Sequence, residues 1–345
     1  MKNDKRIRKK VVVAFDIGTS HIKITVGKFS NNKITLKHMM TIATPEKCVA
    51  NGRIRDIEVL TQTLKEVVTE YNLKKKFAIV TFKSSGIINR EMTLPYNEDK
   101  NSVDNIVEFE MKQLMTINLD DYITQYQVVE EYFQEKVKYM RIVVSAIEKD
   151  IVEAYYNLLK EIHLKPYVLD VHFNSFNKFI KLYNDQVSKL NETIAVVDVG
   201  YNSTDISIIS GGSFKMSRTL NIGSNVLEHM LQEEFDASFD KDQMRRLLIR
   251  KAEEVKSRIN DVLTPLADEV SNVIRYYTSR DSRNEVQGIY VTGSIVNQPE
   301  VKYILEERLD LPTCNFDNLE KLIVSSDKID DTSSYYAVLG AMVRL

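Results

Sequence analysis

Residues Val11–Phe29 read VVVAFDIGTSHIKITVGKF. Apolar and β-branched residues run up to Asp16. A short turn with Gly18, Thr19 and Ser20 follows, and alternation resumes through Ile22, Ile24 and Val26. The pattern predicts a strand, a tight turn and a strand, a hairpin with a carboxylate at its tip. Glycine in such a turn lets the backbone approach a ligand closely, and successive N–H groups there form an anion-binding nest. Asp16 alone would repel a phosphate, so it reads as a residue beside Mg²⁺ or its waters.

One Asp-x-Gly turn carries little weight, because most are ordinary β-turns. A second copy changes this. Ile194–Ser210 reads IAVVDVGYNSTDISIIS, and Asp198, Gly200 and Ile206 lie 182 residues after Asp16, Gly18 and Ile24. Two phosphate-type hairpins in one register predict a duplicated fold, with two halves facing each other across one nucleotide.

The remaining composition narrows the class. A chain of 345 residues suits two domains with a core each. At 43% hydrophobic and 28% charged residues it has the balance of a soluble globular protein, and a net charge of −2 gives no case for nucleic acid as a partner. Cys48 and Cys314 match no disulfide or zinc spacing, which favours a reducing cytosol. The five histidines form no metal motif and read as surface or core residues. The longest apolar run is about five residues, too short to span a membrane or to form a signal peptide. The basic start of the chain (Lys2, Lys5, Arg6, Arg8, Lys9, Lys10) reads as a solvated tail, or more sharply as a weak attraction to an anionic membrane surface.

Along the chain, a strand is expected near Lys33–Thr41, then a helix capped by Asp56 with Ile57, Leu60, Leu64, Val67 and Tyr71 on one face, then a strand Phe77–Phe82. Residues from about Gly86 to Glu148 read as a β-α-β-β insertion. Its helix has Ser102 as candidate cap, and no catalytic constellation is visible in it. A helix over Ile151–Ile162, a strand Tyr167–Val171 and a helix Phe173–Tyr183 complete the first half, with Asn184–Asn191 as connection. After the second hairpin come a strand Phe214–Leu220, a helix opened by Gly223 and Ser224, a helix capped by Asp240, and a third helix started by Thr264-Pro265. Gly288–Val291 reads as a strand, Val301–Leu305 as helical, Thr313–Phe316 and Ile323 as short strands or loop, and the last helix takes Ser333 or Ser334 as cap.

This order of pieces resembles the actin/Hsp70/sugar-kinase superfamily. The phosphate-1 motif would be Asp16–Ser20, the phosphate-2 motif Asp198–Asp205, the adenosine motif Val291–Ser294, and Ala252–Lys256 (AEEVK) resembles the helix that contacts ribose and adenine. Within the superfamily the chain resembles the PilM family of type IV pilus assembly proteins. The resemblance rests on NGRIRD (51–56), INREMTLP (88–95), NIVEFEMKQL (105–114), LKPYVLDV (164–171), SRTLNIGSNVLEHML (217–231) and YYAVLGAMVRL (335–345). The FtsA cell-division family shares the fold and the insertion, but typically ends in a linker and an amphipathic membrane helix that this sequence does not display.

The resemblance implies an α/β, actin-like (ribonuclease H-like, duplicated) fold of two lobes. The first would span 1–190 with the inserted α+β subdomain at about 86–148, and the second 191–345 with a helical subdomain at about 223–282. It implies ATP (or ADP) with Mg²⁺ between the lobes, at most a weak Mg-dependent ATPase activity, and a grip on the cytoplasmic N-terminus of a PilN-like inner-membrane protein. That grip would couple the pilus motor to the membrane alignment complex at the inner face of the cytoplasmic membrane; self-association stays open. By similarity Gly18, Thr19, Ser20 and Lys23 would contact phosphates. Asp16 and Asp198 would hold Mg²⁺ through water, Asp198 also orienting an attacking water. Gly200, Ser203 and Thr204 would close on the β- and γ-phosphates, Glu253 and Lys256 would reach ribose and base, and Gly293 and Ser294 would lie by the adenine. An FtsA-like division role and a small-molecule kinase of the same superfamily are the alternatives. Ser294, Tyr201 and Asn202 stand where the superfamily commonly has glycine.

Overall fold

The computed structural model describes residues 10–84, 86–114, 118–184, 192–211, 213–235, 252–282, 284–293, 299–316, 322–324 and 334–343. The first hairpin is β1 (Val12–Ile17) and β2 (His21–Ser30), antiparallel, with Asp16 opposite Lys23. It continues into β3 (Lys33–Ala43) and, after a two-residue hairpin of β4 (Val49–Ala50) and β5 (Arg53–Ile54), into α1 (Ile57–Glu70). Asp56 caps α1 as expected, its carboxylate accepting from the Val59 N–H at 3.1 Å. β6 (Phe77–Phe82) then lies parallel to β1.

Residues 88–148 build their own sheet, in the order expected. β7 (Ile88–Pro95), α2 (Lys100–Leu114), β8 (Tyr122–Gln134) and β9 (Val137–Glu148) give a sheet ordered β7-β9-β8, with Val103, Val107 and Met111 of α2 buried against Met92, Leu94, Ile142 and Val144. Ser102 is not the cap of α2. Asp99 accepts from the N–H groups of Asn101 and Ser102 and from the Ser102 hydroxyl, because it stands one residue before the helix, where the free N–H groups point.

Next come α3 (Lys149–Glu161), β10 (Lys165–Val171) parallel to β6, and α4 (His172–Asn184). The expected connection falls almost wholly outside the described residues. The second hairpin is β11 (Thr193–Val199) and β12 (Thr204–Ser210), followed by β13 (Ser213–Leu220) and α5 (Asn225–Phe235). The Asp240 cap lies outside the described residues. The expected helix start at Thr264-Pro265 is not found: α6 runs unbroken over Ala252–Ser279 with Pro265 inside it. Leu263, Leu266, Ala267 and Val270 are buried in one cluster on both sides of the proline. That packing keeps the helix continuous although proline removes one i→i−4 bond.

β14 (Gly288–Gly293), α7 (Pro299–Leu309), β15 (Thr313–Asn315), β16 (Leu322–Val324) and α8 (Tyr336–Met342) complete the described chain. Tyr335 is the N-cap of α8 with no side-chain cap bond, in place of the expected serine. All seven residues of α8 are buried, so packing rather than capping holds it.

The two large sheets run β10-β6-β1-β2-β3-β16 and β13-β12-β11-β14-β15. Aligning β1 with β11 superposes five strands of each in one order, which is the duplication that the 182-residue offset predicts. The sequence puts the last elements with the second half. In the structure β16 adds to the first sheet beside β3, and α8 packs on α4 and the first sheet. A core cluster between the sheets joins Val12 and Ala14 of β1, Ile194 and Val196 of β11, Phe179 of α4 and Leu339 of α8. Among the described residues no helix is long and apolar enough to cross a membrane.

Docking of α8 is tight enough to test. A Cβ on Gly340 would lie 1.8 Å from the Ser175 carbonyl oxygen of α4. Gly340→Ala should cost about 3 kcal/mol through overpacking and regain about 1 kcal/mol in helix propensity. Urea denaturation should therefore register a loss of about 2 kcal/mol, and an unchanged or raised stability would contradict this packing.

Candidate functional site

Strand alternation aims the two aspartates. Val13, Phe15 and Ile17 of β1 face the cluster under α1 and α3, whereas Val12 and Ala14 face the layer between the sheets. Asp16 is the next residue on that inner side. The copy repeats this: Ala195, Val197 and Val199 face outward to α6 and α7, and Ile194 and Val196 face inward, followed by Asp198. A one-residue slip in either strand would turn its carboxylate into an apolar cluster.

The carboxylates meet at His172, the first residue of α4. His172 Nε2 lies 3.6 Å from Asp16 Oδ2, and Nδ1 lies 3.3 Å from Asp198 Oδ2. The three side chains are 15%, 13% and 14% exposed. Burial alone would drive His172 neutral, but the two flanking carboxylates outweigh it and hold its pKa up to about 10. Burial would raise both aspartates in turn; the imidazolium overcomes this and holds them below the usual carboxylate range, with Lys23 assisting at Asp16 and Lys83 at Asp198. At neutral pH the trio is thus an imidazolium between two carboxylates.

Lys83, just past β6, supplies a second cation. Its Nζ lies 3.0 Å from Asp205 Oδ2 and 3.9 Å from Asp198 Oδ2, and donates to the Ser203 carbonyl oxygen at 3.1 Å. It bridges the first lobe to the second hairpin. Asp205 pairs with Asp198 across β11 and β12 as Lys23 pairs with Asp16 across β1 and β2, so equivalent positions carry opposite charges. Donor atoms of His172, Asp198 and Asp205 lie within 4.8 Å of one another.

A cavity of about 370 Å³ opens between the hairpins. Asp16, Gly18, Thr19, Ser20, Lys23, Asp198, Gly200, Ser203 and Gly293, all expected at the site, line it. Gly18 and Gly200 are shape-setting: each N–H is spent within its own turn, on His21 O at 3.1 Å and Ser203 O at 2.9 Å. A Cβ on either would crowd those carbonyls at 2.9 and 2.8 Å. Gly293 has φ +103°, and a Cβ there would lie 2.2 Å from Val199 O. Thr204 is fully buried and does not line the cavity; its hydroxyl donates to Ile222 O at 2.7 Å. That bond, with Ser224 N–H to Gly200 O and Asn225 N–H to Tyr201 O, straps the second turn to the start of α5. Glu253 and Lys256 lie in the first turns of α6, and Ser294 lies outside the described residues.

Comparison with known proteins then decides the family. Residues 14–339 match the family described as type IV pilus assembly protein PilM. The chain belongs to the PilM family. A solved PilM–PilN type IV pilus biogenesis complex contains a chain of the same fold, with TM-score 0.81 at 17% identity, covering 96% of this chain and 97% of that one. The ethanolamine utilization protein EutJ from Carboxydothermus hydrogenoformans is more distant, with TM-score 0.58 at 12% identity over 96% and 89% of the two chains. The fold is that of the actin-like ATPases, mixed α/β with several sheets, and the matched family is PilM rather than FtsA.

The sequence reading of this PilM-family cleft missed His172 and Lys83, gave Asp205 no role beyond its place in the phosphate-2 motif, and read Gly52 only as a turn within a family signature. A signal was available. β1, β6 and β10 are parallel neighbours, so the residues after their carboxyl ends converge on one edge, where open α/β sheets bind ligands. Gly52 lines the same edge with φ +73°, and its missing Cβ leaves room for the Lys83 carbonyl oxygen.

The charge trio sets a pH dependence. His172 has a folded pKa above its unfolded value, so its contribution is complete below pH about 6.5 and is lost as pH rises through about 10. The aspartates contribute above their unfolded value and lose that contribution as pH falls below it. In thermal melts the wild type should lose stability from neutral pH to pH about 10. His172→Gln should be less stable at neutral pH by on the order of 3 kcal/mol, having left two carboxylates without their shared cation, and its alkaline slope should flatten. A variant with the wild-type slope would contradict this pairing.

Proposed function

We propose that the chain binds ATP with Mg²⁺ between its lobes and acts as a cytoplasmic adaptor in type IV pilus assembly, gripping the cytoplasmic N-terminus of a PilN-like inner-membrane protein. It would thereby link the motor side of the machine to the membrane alignment complex. The observation that carries the nucleotide part is the pair of ionised carboxylates at facing hairpin tips, beside a cavity of about 370 Å³ that also holds Lys23 and Lys83. The donor set fits the group: carboxylates for a hard divalent cation, lysines and turn amides for phosphate.

In this reading Asp16 and Asp198 would hold Mg²⁺ or its waters, and the ion would supply charge neutralisation for the phosphates. Lys23, Thr19, Ser20 and Ser203 contact the phosphate chain around the turns set by Gly18 and Gly200, with Thr204 fixing the second turn from below. Glu253 and Lys256 reach ribose and base, and Gly293 with Ser294 borders the adenine. His172 in its imidazolium form has no lone pair with which to take a proton from water. Asp198 would be left to orient the water, and any turnover would be slow.

For the adaptor part, the family and the similar fold of a chain solved as a PilM–PilN complex are the support. A physical link between cleft and insertion also exists. Arg53, one residue after Gly52 of the cavity wall, pairs with Glu148 at the end of β9 and with Asp150 of α3 at 2.7 Å. Movement of the cavity wall at Gly52 would thereby reach the root of the 88–148 sheet. Fluorescence anisotropy of a labelled N-terminal peptide from the host's PilN-like protein should show saturable binding whose affinity changes with MgATP, and Arg53→Ala should reduce that dependence. Absence of binding with and without nucleotide would sink the adaptor role.

A further inference from the structure

The edge of the first sheet opposite the cavity carries a concentrated positive charge. Lys10 precedes β1, Lys74, Lys75 and Lys76 precede β6, and Lys165 opens β10. β10, β6 and β1 are adjacent and parallel, so these lysines enter the sheet side by side. The loops that carry them are stitched together: Lys165 N–H donates to Lys76 O and Lys75 N–H to His163 O, both at 2.8 Å. The ammonium groups of Lys10 and Lys165 lie 5.2 and 5.6 Å from the centroid of the one Phe77 ring. Lys160, in the last turn of α3, lies 5.1 Å from the ring centroid of Tyr156, which is 50% exposed. All six lysines are exposed, and among the described residues none pairs with a carboxylate. Glu70 and Glu161 are the acidic residues next to them in the chain, too few to neutralise the face.

Such clustering is unexpected in a chain of net charge −2, because it opposes itself electrostatically without a partner. We infer that this face docks directly on an anionic phospholipid surface, so that the protein meets the membrane with its own charge and not only through a bound membrane protein. Three observations favour lipid over an acidic protein. The charges are spread over four chain segments and do not converge on a pocket. All six are lysines, compact hydrated point charges on flexible stems, where bidentate carboxylate or phosphate recognition favours the planar fork of arginine. An exposed tyrosine stands beside them, and amphipathic rings of this kind settle at the headgroup level. In sequence Lys10 is preceded by Lys2, Lys5, Arg6, Arg8 and Lys9, with Asp4 the one acidic residue among them.

The test is co-sedimentation of the full chain with phosphatidylcholine vesicles, with and without phosphatidylglycerol, in the absence of nucleotide and of any partner protein. The wild type should bind the anionic vesicles, fail to bind neutral ones, and release as salt is raised. Lys74→Gln/Lys76→Gln/Lys165→Gln should lower the partition coefficient on the order of a hundredfold, each basic residue near such a surface being worth about fivefold. The triple arginine variant at the same positions should retain binding. Failure of the wild type to bind anionic vesicles, equal binding to neutral ones, or an unaltered triple glutamine variant would each overturn the inference. So would capture by polyglutamate without capture by vesicles, which would assign the face to an acidic protein.

Discussion

Two carboxylates from opposite lobes point into one small, largely buried space, and like charges so placed cannot both stay ionised without a cation between them. Asp16 and Asp198 are in this position because each ends the inward-facing row of its strand. His172 and Lys83 answer them from the ends of the neighbouring parallel strands. The approach of the two hairpins therefore includes charge held in the cleft, and a divalent ion with a nucleotide would act on that same balance. Lys83 crosses from the first lobe to the second hairpin, so any rearrangement around it reaches both lobes.

Apolar packing supplies the frame that makes this arrangement obligatory. α4 and α8 fill the layer between the sheets, with Phe179, Phe316 and Tyr336 rings in mutual contact. The return of β16 and α8 to the first sheet ties the end of the chain to its beginning. The two halves consequently share one central core, and the cleft lies at its rim. From that rim, Arg53 carries a mechanical connection toward the separate sheet of residues 88–148.

Much of this was legible in the sequence, for identifiable reasons. The two hairpins showed because strand alternation and turn glycines are local signals, and the 182-residue offset showed because the duplication kept its register. The β-α-β-β order of the insertion was equally local. The errors came where packing overrode a local signal or where a neighbouring residue held the better capping position. Pro265 read as a helix start, yet burial on both flanks keeps α6 continuous. Ser102 read as a cap, yet Asp99 has the better position. His172 was passed over because a lone histidine has no spacing signature. Its meaning arises only when β10 and β6 are placed beside β1, which is a matter of sheet topology.

The most direct test of the account is an isothermal titration of MgATP into the wild type, Asp16→Ala and Asp198→Ala. One saturable site is expected in the wild type, weakened on the order of 10- to 100-fold in each variant, with all three proteins still folded because each variant leaves His172 one carboxylate partner. No heat of binding in the wild type, or the same affinity in all three, would contradict the claim that the facing hairpins form a nucleotide site.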